Sequence, residues 1–327
     1  MSSGCAPGSG LRSTDPVRAI QSLETLVKRF QEEELGEGGE ASGGNVTNDK
    51  VCYLINALKA KAEEPEILPL SSVDFDVLEE RFHIILTETL VRRGNHGDRA
   101  KESKAQGGKT YMSSEGLYHH LDKLENLIPK SNEVGPRLWI DATFARVSAM
   151  LPTNQRMVLT IEQHIPPVDM PGDTVPITLS GAIDYAVFTM ESRKHEWFLQ
   201  ASDFPYVKQQ KAKGLFITKV KQALPEHVPQ AVAKMYASAR YLGKPIARGA
   251  LTNGHEWIFM TLNINQDGIG GTYTMSPKIK IQASESYPFH VLSPEPDIIA
   301  GVLAYWIEHS YVDLDENDWF SVINENH

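Results

Sequence analysis

Residues 177–190 read Ile-Thr-Leu-Ser-Gly-Ala-Ile-Asp-Tyr-Ala-Val-Phe-Thr-Met, and Asp184 lies at the heart of that run. Its β-branched and aromatic composition predicts a largely buried strand. A lone carboxylate inside such a strand is costly unless it is paired, hydrogen-bonded or bound to a metal. Asp184 therefore requires one of three things: a strand edge that reaches water, a lysine or arginine partner, or a metal ion.

Working outward, Trp197-Phe-Leu-Gln-Ala-Ser-Asp203 follows a short charged connection. It is the expected second strand of a hairpin, with Gln200 beside Asp184 on one face. Leu224-Pro225 then opens a helix that runs to Leu242, with Pro225 in its first turn and Val228, Val232, Met235, Tyr236 and Ala239 along one side. Residues 246–251 and 257–262 predict two strands joined through Thr252-Asn253-Gly254, where Asn-Gly is favoured hairpin chemistry. The order is hairpin, helix, hairpin.

Three pieces of this stretch carry a resemblance: Gly181-Ala-Ile-Asp184-Tyr185, then Pro229-Gln230 opening a helix, then Gly249-Ala-Leu-Thr-Asn-Gly254 followed by Trp257 and Phe259. Over residues 135–310 the chain resembles the PD-(D/E)XK, or restriction-endonuclease-like, nuclease superfamily. The resemblance implies an α/β fold, a mixed sheet flanked by helices. It also implies metal-dependent phosphodiester hydrolysis, with Asp184 as a Mg²⁺ ligand and Gln230 near the nucleic acid. Asp141, on a helix that precedes the core sheet, is a further candidate ligand; a solvated or capping role is the plainer reading of that residue.

The chain also departs from the pattern. Where the family carries Glu-x-Lys, this chain has Gln200-Ala201-Ser202. Two carboxylates normally hold the cation, and the lysine assists the attacking water or the developing phosphorane charge. Gln200 offers only a neutral carbonyl and Ser202 no charge. Asp203 is one residue off and would face the other side of a strand unless a bulge re-aims it. The expected site thus comprises Asp184, Gln200, Ser202 and Asp203 as catalytic positions and Asp184, Asp203 and Asp141 as metal ligands.

The flanking chain divides into a Gly/Ser-rich tail at 1–13, a helical region at 14–134, the core at 135–310 and an acidic tail at 311–327 that reads as a solvated cap. Within the helical region, 32–44 is an acidic, glycine-rich linker. Residues 72–92 read as a helix with Leu78, Phe82, Ile85, Leu86 and Leu90 inward. Residues 92–110 lack any apolar period and carry excess positive charge, the pattern of an exposed loop.

With 327 residues and a net charge of -10, the chain is long enough for a large core and too acidic for its whole surface to hold nucleic acid. A local basic groove remains open to it. Residues 205–222 carry Lys208, Lys211, Lys213, Lys219 and Lys221 with no acid, so the first three are the expected phosphate contacts. A solvated lysine-rich connection is the alternative. Two cysteines imply no disulfide framework, and the first residues lack an apolar leader, which together point to an intracellular, cytoplasmic or nuclear protein with no membrane partner. The histidines are scattered, and no phosphate-binding loop or nucleophile elbow is present. Three functions stay open: a nuclease-like protein with an impaired metal site that binds nucleic acid or a protein, an active Mg²⁺-dependent nuclease, and an interaction protein that uses the fold as a scaffold.

Overall fold

A computed structural model of the chain describes residues 20–25, 28, 53–56, 59, 65–108, 111–129, 135–170, 176–200, 203–219 and 224–323. The expected tail at 1–13, the linker at 32–44 and Ser202 lie outside the described residues. The chain divides into two compact units, residues 1–67 with 169–178 and residues 68–168 with 179–327. In the first unit, residues 20–25 and 53–56 are helical, and Lys59 pairs with Glu24 at 2.6 Å.

The strands in chain order are β1 (Glu66–Pro69), β2 (Ile84–Arg92), β3 (Gln155–Met170), β4 (Ile177–Glu191), β5 (Lys213–Lys219), β6 (Ile246–Thr252), β7 (Glu256–Ile264), β8 (Gly271–Met275), β9 (Ile279–Lys280) and β10 (Phe320–Ile323). The helices are α1 (His96–Ala105), α2 (Ser114–Leu127), α3 (Gly135–Met150), α4 (Ser192–Gln200), α5 (Phe204–Gln210), α6 (Val228–Leu242) and α7 (Glu295–Glu308). The strands make one mixed sheet in the order β1-β4-β5-β6-β7-β8-β2-β10, with β3 also on β4 and β9 also on β7. The β4–β5 and β6–β7 pairs are antiparallel, while β5–β6 is parallel, as a crossover through α6 requires.

Helices cover both faces, so the α/β class and the flanked mixed sheet are as expected. On one face α2, α3 and α7 bury Leu117, Trp139, Phe144, Ile298 and Trp306 against Tyr185, Val187, Trp257 and Phe259. On the other, α6 lies on β5 and β6, and Phe188 gathers Phe198, Phe204 and Phe216 in edge-to-face contacts at 5.8–6.4 Å. The close seat of α6 depends on Gly249. A Cβ there would stand 2.6 Å from the Phe216 carbonyl oxygen and 2.7 Å from Met235 Sδ.

Several expected elements are replaced. Residues 197–200 are not a strand: 192–200 form α4, and Asp203 caps α5. Ser192, Arg193, Lys194, Glu196, Leu199 and Gln200 are helix-compatible residues, and this outweighs the aromatic pair that reads as β. The strand that pairs with β4 lies further on, at Lys213–Lys219, where Leu-Phe-Ile-Thr supplies the β-prone run. The expected helix at 72–92 breaks at His83, which has a positive φ of 53°, and continues as β2. Ile84, Ile85, Thr87, Thr89 and Val91 make that segment β-branched.

The basic stretch 92–110 mostly forms α1 rather than a loop. Small residues and arginine contacts hold it instead of an apolar stripe: Ser103 Oγ donates to the Asp297 carbonyl at 2.7 Å, and Arg99 lies 4.6 Å over the Trp319 ring. The acidic tail, as far as it is described (311–323), is likewise built in. Asp318, Trp319 and Phe320 are buried, and β10 pairs with β2. No helix among the described residues is long and apolar enough to cross a membrane.

Candidate functional site

β4 presents Asp184 to the α6 face, and the residue that meets it is Lys234. Its Nζ lies 2.8 Å from Asp184 Oδ2, with the two side chains 11% and 24% exposed, lysine first. The local sequence explains the geometry. Lys234 is the lone charge in Val228–Ala239, a segment otherwise buried along nearly its whole length. An ammonium there needs an anion, as a carboxylate in the middle of β4 needs a cation, and the two satisfy each other. Gln230 lies one turn before Lys234, half-buried, with its Oε1 3.4 Å from His227 Nδ1. It therefore shares the Asp184 face of the sheet.

The remaining expected ligands are elsewhere. Gln200 is exposed at the last position of α4. Asp203 is exposed, and its Oδ1 accepts the Tyr206 amide at 2.8 Å as the cap of α5, which starts at the Phe188 end of β4. Asp141 is on α3, beside Tyr185. Tyr185 leaves β4 on the face opposite Asp184, because successive residues of a strand alternate. The sheet thus separates Asp141 from Asp184. Burial lifts the Asp141 carboxyl above the usual carboxylate range, opposed by the Tyr185 hydroxyl and the Arg137 guanidinium. Burial, reinforced by Asp141, raises the Tyr185 phenol.

The three expected phosphate contacts are also displaced. Lys213 pairs with Thr189, and the register Tyr185–Ile217 continued by one step sets Asp184 opposite position 218. From position 213 to position 218 the strand advances about 17 Å. Lys208, Lys211 and Lys213 therefore line the far end of β5, away from Asp184.

The donor set around Asp184 can be compared with what a catalytic Mg²⁺ requires. Such an ion is held by one or two carboxylates with substrate phosphates and water. On one side of β4 lies β5, and from Phe204 to Leu224, the strand with its flanks, there is no aspartate or glutamate. Lys234 occupies one Asp184 oxygen. Among the described residues no group of three or more His, Cys, Asp or Glu side chains converges as a metal site. These residues do not fit a catalytic divalent cation.

A cleft of about 750 Å³ lies apart from Asp184, between the ends of α2 and α3 and the β6–β7 turn, with Trp139, His255, Glu256, Lys280 and Phe289 in its wall. The Trp139 and His255 rings meet in that wall, tilted by 40° with centroids 4.1 Å apart.

Sequence reasoning missed Lys234, although a signal was present: an isolated charge in an apolar helix and an isolated charge in an apolar strand each call for a partner. It also missed the buried pair Arg248–Asp318, in which Nη1 and Oδ2 are 2.7 Å apart. Compared with known protein families and with curated proteins, the chain matches none.

Proposed function

We propose that the protein has a restriction-endonuclease-like core whose metal site has been converted into an internal ion pair, and that it acts by binding nucleic acid or a protein rather than by cutting. The order hairpin, helix, hairpin supports the fold assignment. β4–β5 is antiparallel, α6 crosses to a parallel β6, and β6–β7 closes the second hairpin through Asn253-Gly254. One observation carries the functional reading: Lys234 holds the Asp184 carboxylate at 2.8 Å while β5 supplies no second carboxylate. An ammonium on that oxygen balances the charge a dication would otherwise neutralise. β5 places no second carboxylate beside Asp184 to attract one.

The test is a cleavage assay on single-stranded and duplex DNA and RNA with Mg²⁺ or Mn²⁺, on wild type and Asp184→Asn. The expected outcome is no metal-dependent cleavage by either protein. Cleavage by the wild type that disappears in Asp184→Asn refutes the proposal.

A further inference from the structure

We propose that α4, α5 and the start of β5 form a face that binds single-stranded nucleic acid, with Trp197 stacking on an unpaired base. This assignment names a partner for the binding role above, and it rests on surface chemistry distant from Asp184.

The first observation is Trp197 itself. The chain has five tryptophans. Trp139, Trp257, Trp306 and Trp319 are buried, whereas Trp197 is 71% exposed. Arg193 and Lys194 precede it on α4 by four and three positions, which sets both cations on the side of the helix that carries the indole.

The second observation is that the helix is anchored. Phe198, next to Trp197, is buried 5.8 Å from Phe188 and 5.8 Å from Tyr206. The Tyr206 hydroxyl also donates to the Lys194 carbonyl at 3.3 Å. Trp197 is therefore held outward by a neighbour locked into the core, on a packed frame shared with α5.

The third is the charge on that frame. Lys208, Lys211 and Lys213 are exposed. The Lys211 amide bonds back to the Lys208 carbonyl at 3.2 Å, and the left-handed turn at Lys211 (φ 51°) leads into β5. The acids nearby are Glu191, 4.0 Å from Lys194, and Glu196 and Asp203, the last engaged as the α5 cap. A cationic face on a chain of net charge -10 is a local exception that the overall composition does not produce.

Lysines and arginine attract any polyanion, and the indole discriminates among them. A duplex keeps its base faces stacked inside, and an acidic peptide has none. A single strand offers both phosphates and free π faces.

The four buried tryptophans provide a constant background, so intrinsic fluorescence reports Trp197. The protein is titrated in EDTA with oligothymidylate and oligouridylate of about 20 nucleotides, longer than one such site needs. We expect saturable quenching by one or both, the pair distinguishing DNA from RNA. Trp197→Phe should lose the quench, and Trp197→Ala should weaken binding about 10-fold, followed by anisotropy of the labelled strand. Lys208→Glu/Lys211→Glu/Lys213→Glu should lower the log–log salt slope by about 2. Lys208→Gln/Lys213→Gln, which leaves the Lys211 turn intact, should lower it by about 1.4. Asp184→Asn should bind as the wild type does. No binding of either oligonucleotide refutes the face, as does an unchanged affinity in the lysine variants. Equal binding of duplex or of polyglutamate refutes the stacking role. Binding abolished by Asp184→Asn would move the site to the Asp184 face and overturn this assignment while leaving the metal-site reading intact.

Discussion

Replacing Arg248 by methionine strips the cation from a buried ion pair and leaves the carboxylate behind. The two side chains are 1% and 0% exposed and meet at 2.7 Å. Asp318 would retain two neutral donors, Trp306 Nε1 at 3.0 Å and the Phe320 amide at 3.2 Å. Arg248 also donates to the Val312 and Asp313 carbonyls at 3.2 Å each and lies 5.2 Å over the Trp306 ring. Removing one partner of a buried pair costs about 3–5 kcal/mol, because the remaining charge stays desolvated. The carbonyls gain back water and add little. The expected loss is about 4 kcal/mol, which for a unit of this size lowers Tm by about 8–16 °C. Circular dichroism during heating and urea unfolding measures it. The double variant Arg248→Met/Asp318→Leu should recover at least half of the loss, since two apolar groups leave no stranded charge. A single-variant loss below about 1 kcal/mol, or a double variant as unstable as the two singles added, would refute the reasoning.

Further outcomes follow from other contacts. Gly249→Ala should cost about 1–3 kcal/mol in urea unfolding, because its Cβ would press on Phe216 and Met235. Lys234→Met should destabilise the protein by about 1–3 kcal/mol, less than a fully buried case because Asp184 keeps some water, and Lys234→Met/Asp184→Asn should recover most of it. Asp141 is held above its usual pKa by burial, so the folded state favours its protonated form. That contribution to stability is present below the unfolded value and is lost as pH rises through the higher folded value. Asp141→Asn should therefore melt above the wild type at pH 7, with the gap closing as pH falls toward 3.8, as thermal melts across that range would record. Gln200→Glu, an exposed change at the end of α4, should leave Mn²⁺ affinity unaltered in calorimetry.

Much of the central fold was legible because its signals are local. Asp184 within a β-prone run, the α6 stripe and the Asn253-Gly254 turn each fix an element within a few residues. The second strand of the first hairpin was not, because two short aromatic runs, Trp197-Phe-Leu and Leu215-Phe-Ile, compete for one place beside β4. The helix-compatible residues around Trp197 and the packing of Phe198 and Phe204 on Phe188 decide between them. That single exchange moved Gln200 onto a helix and Asp203 to a helix cap, and carried Lys208, Lys211 and Lys213 to the far end of β5. β2 and the acidic tail were obscure for a different reason. Their burial is set by partners remote in sequence, β8 for β2 and Arg248 for Asp318. At the candidate site the need for a partner to Asp184 was readable, while the choice of Lys234, 50 positions away, depended on the α6 crossover.

The central claim is that Asp184 serves Lys234 and not a metal ion. Isothermal titration of Mn²⁺ into the wild-type protein and into Asp184→Asn measures this directly. We expect no saturable uptake below millimolar Mn²⁺ in either protein. Stoichiometric binding in the micromolar range by the wild type, lost in Asp184→Asn, would contradict the account.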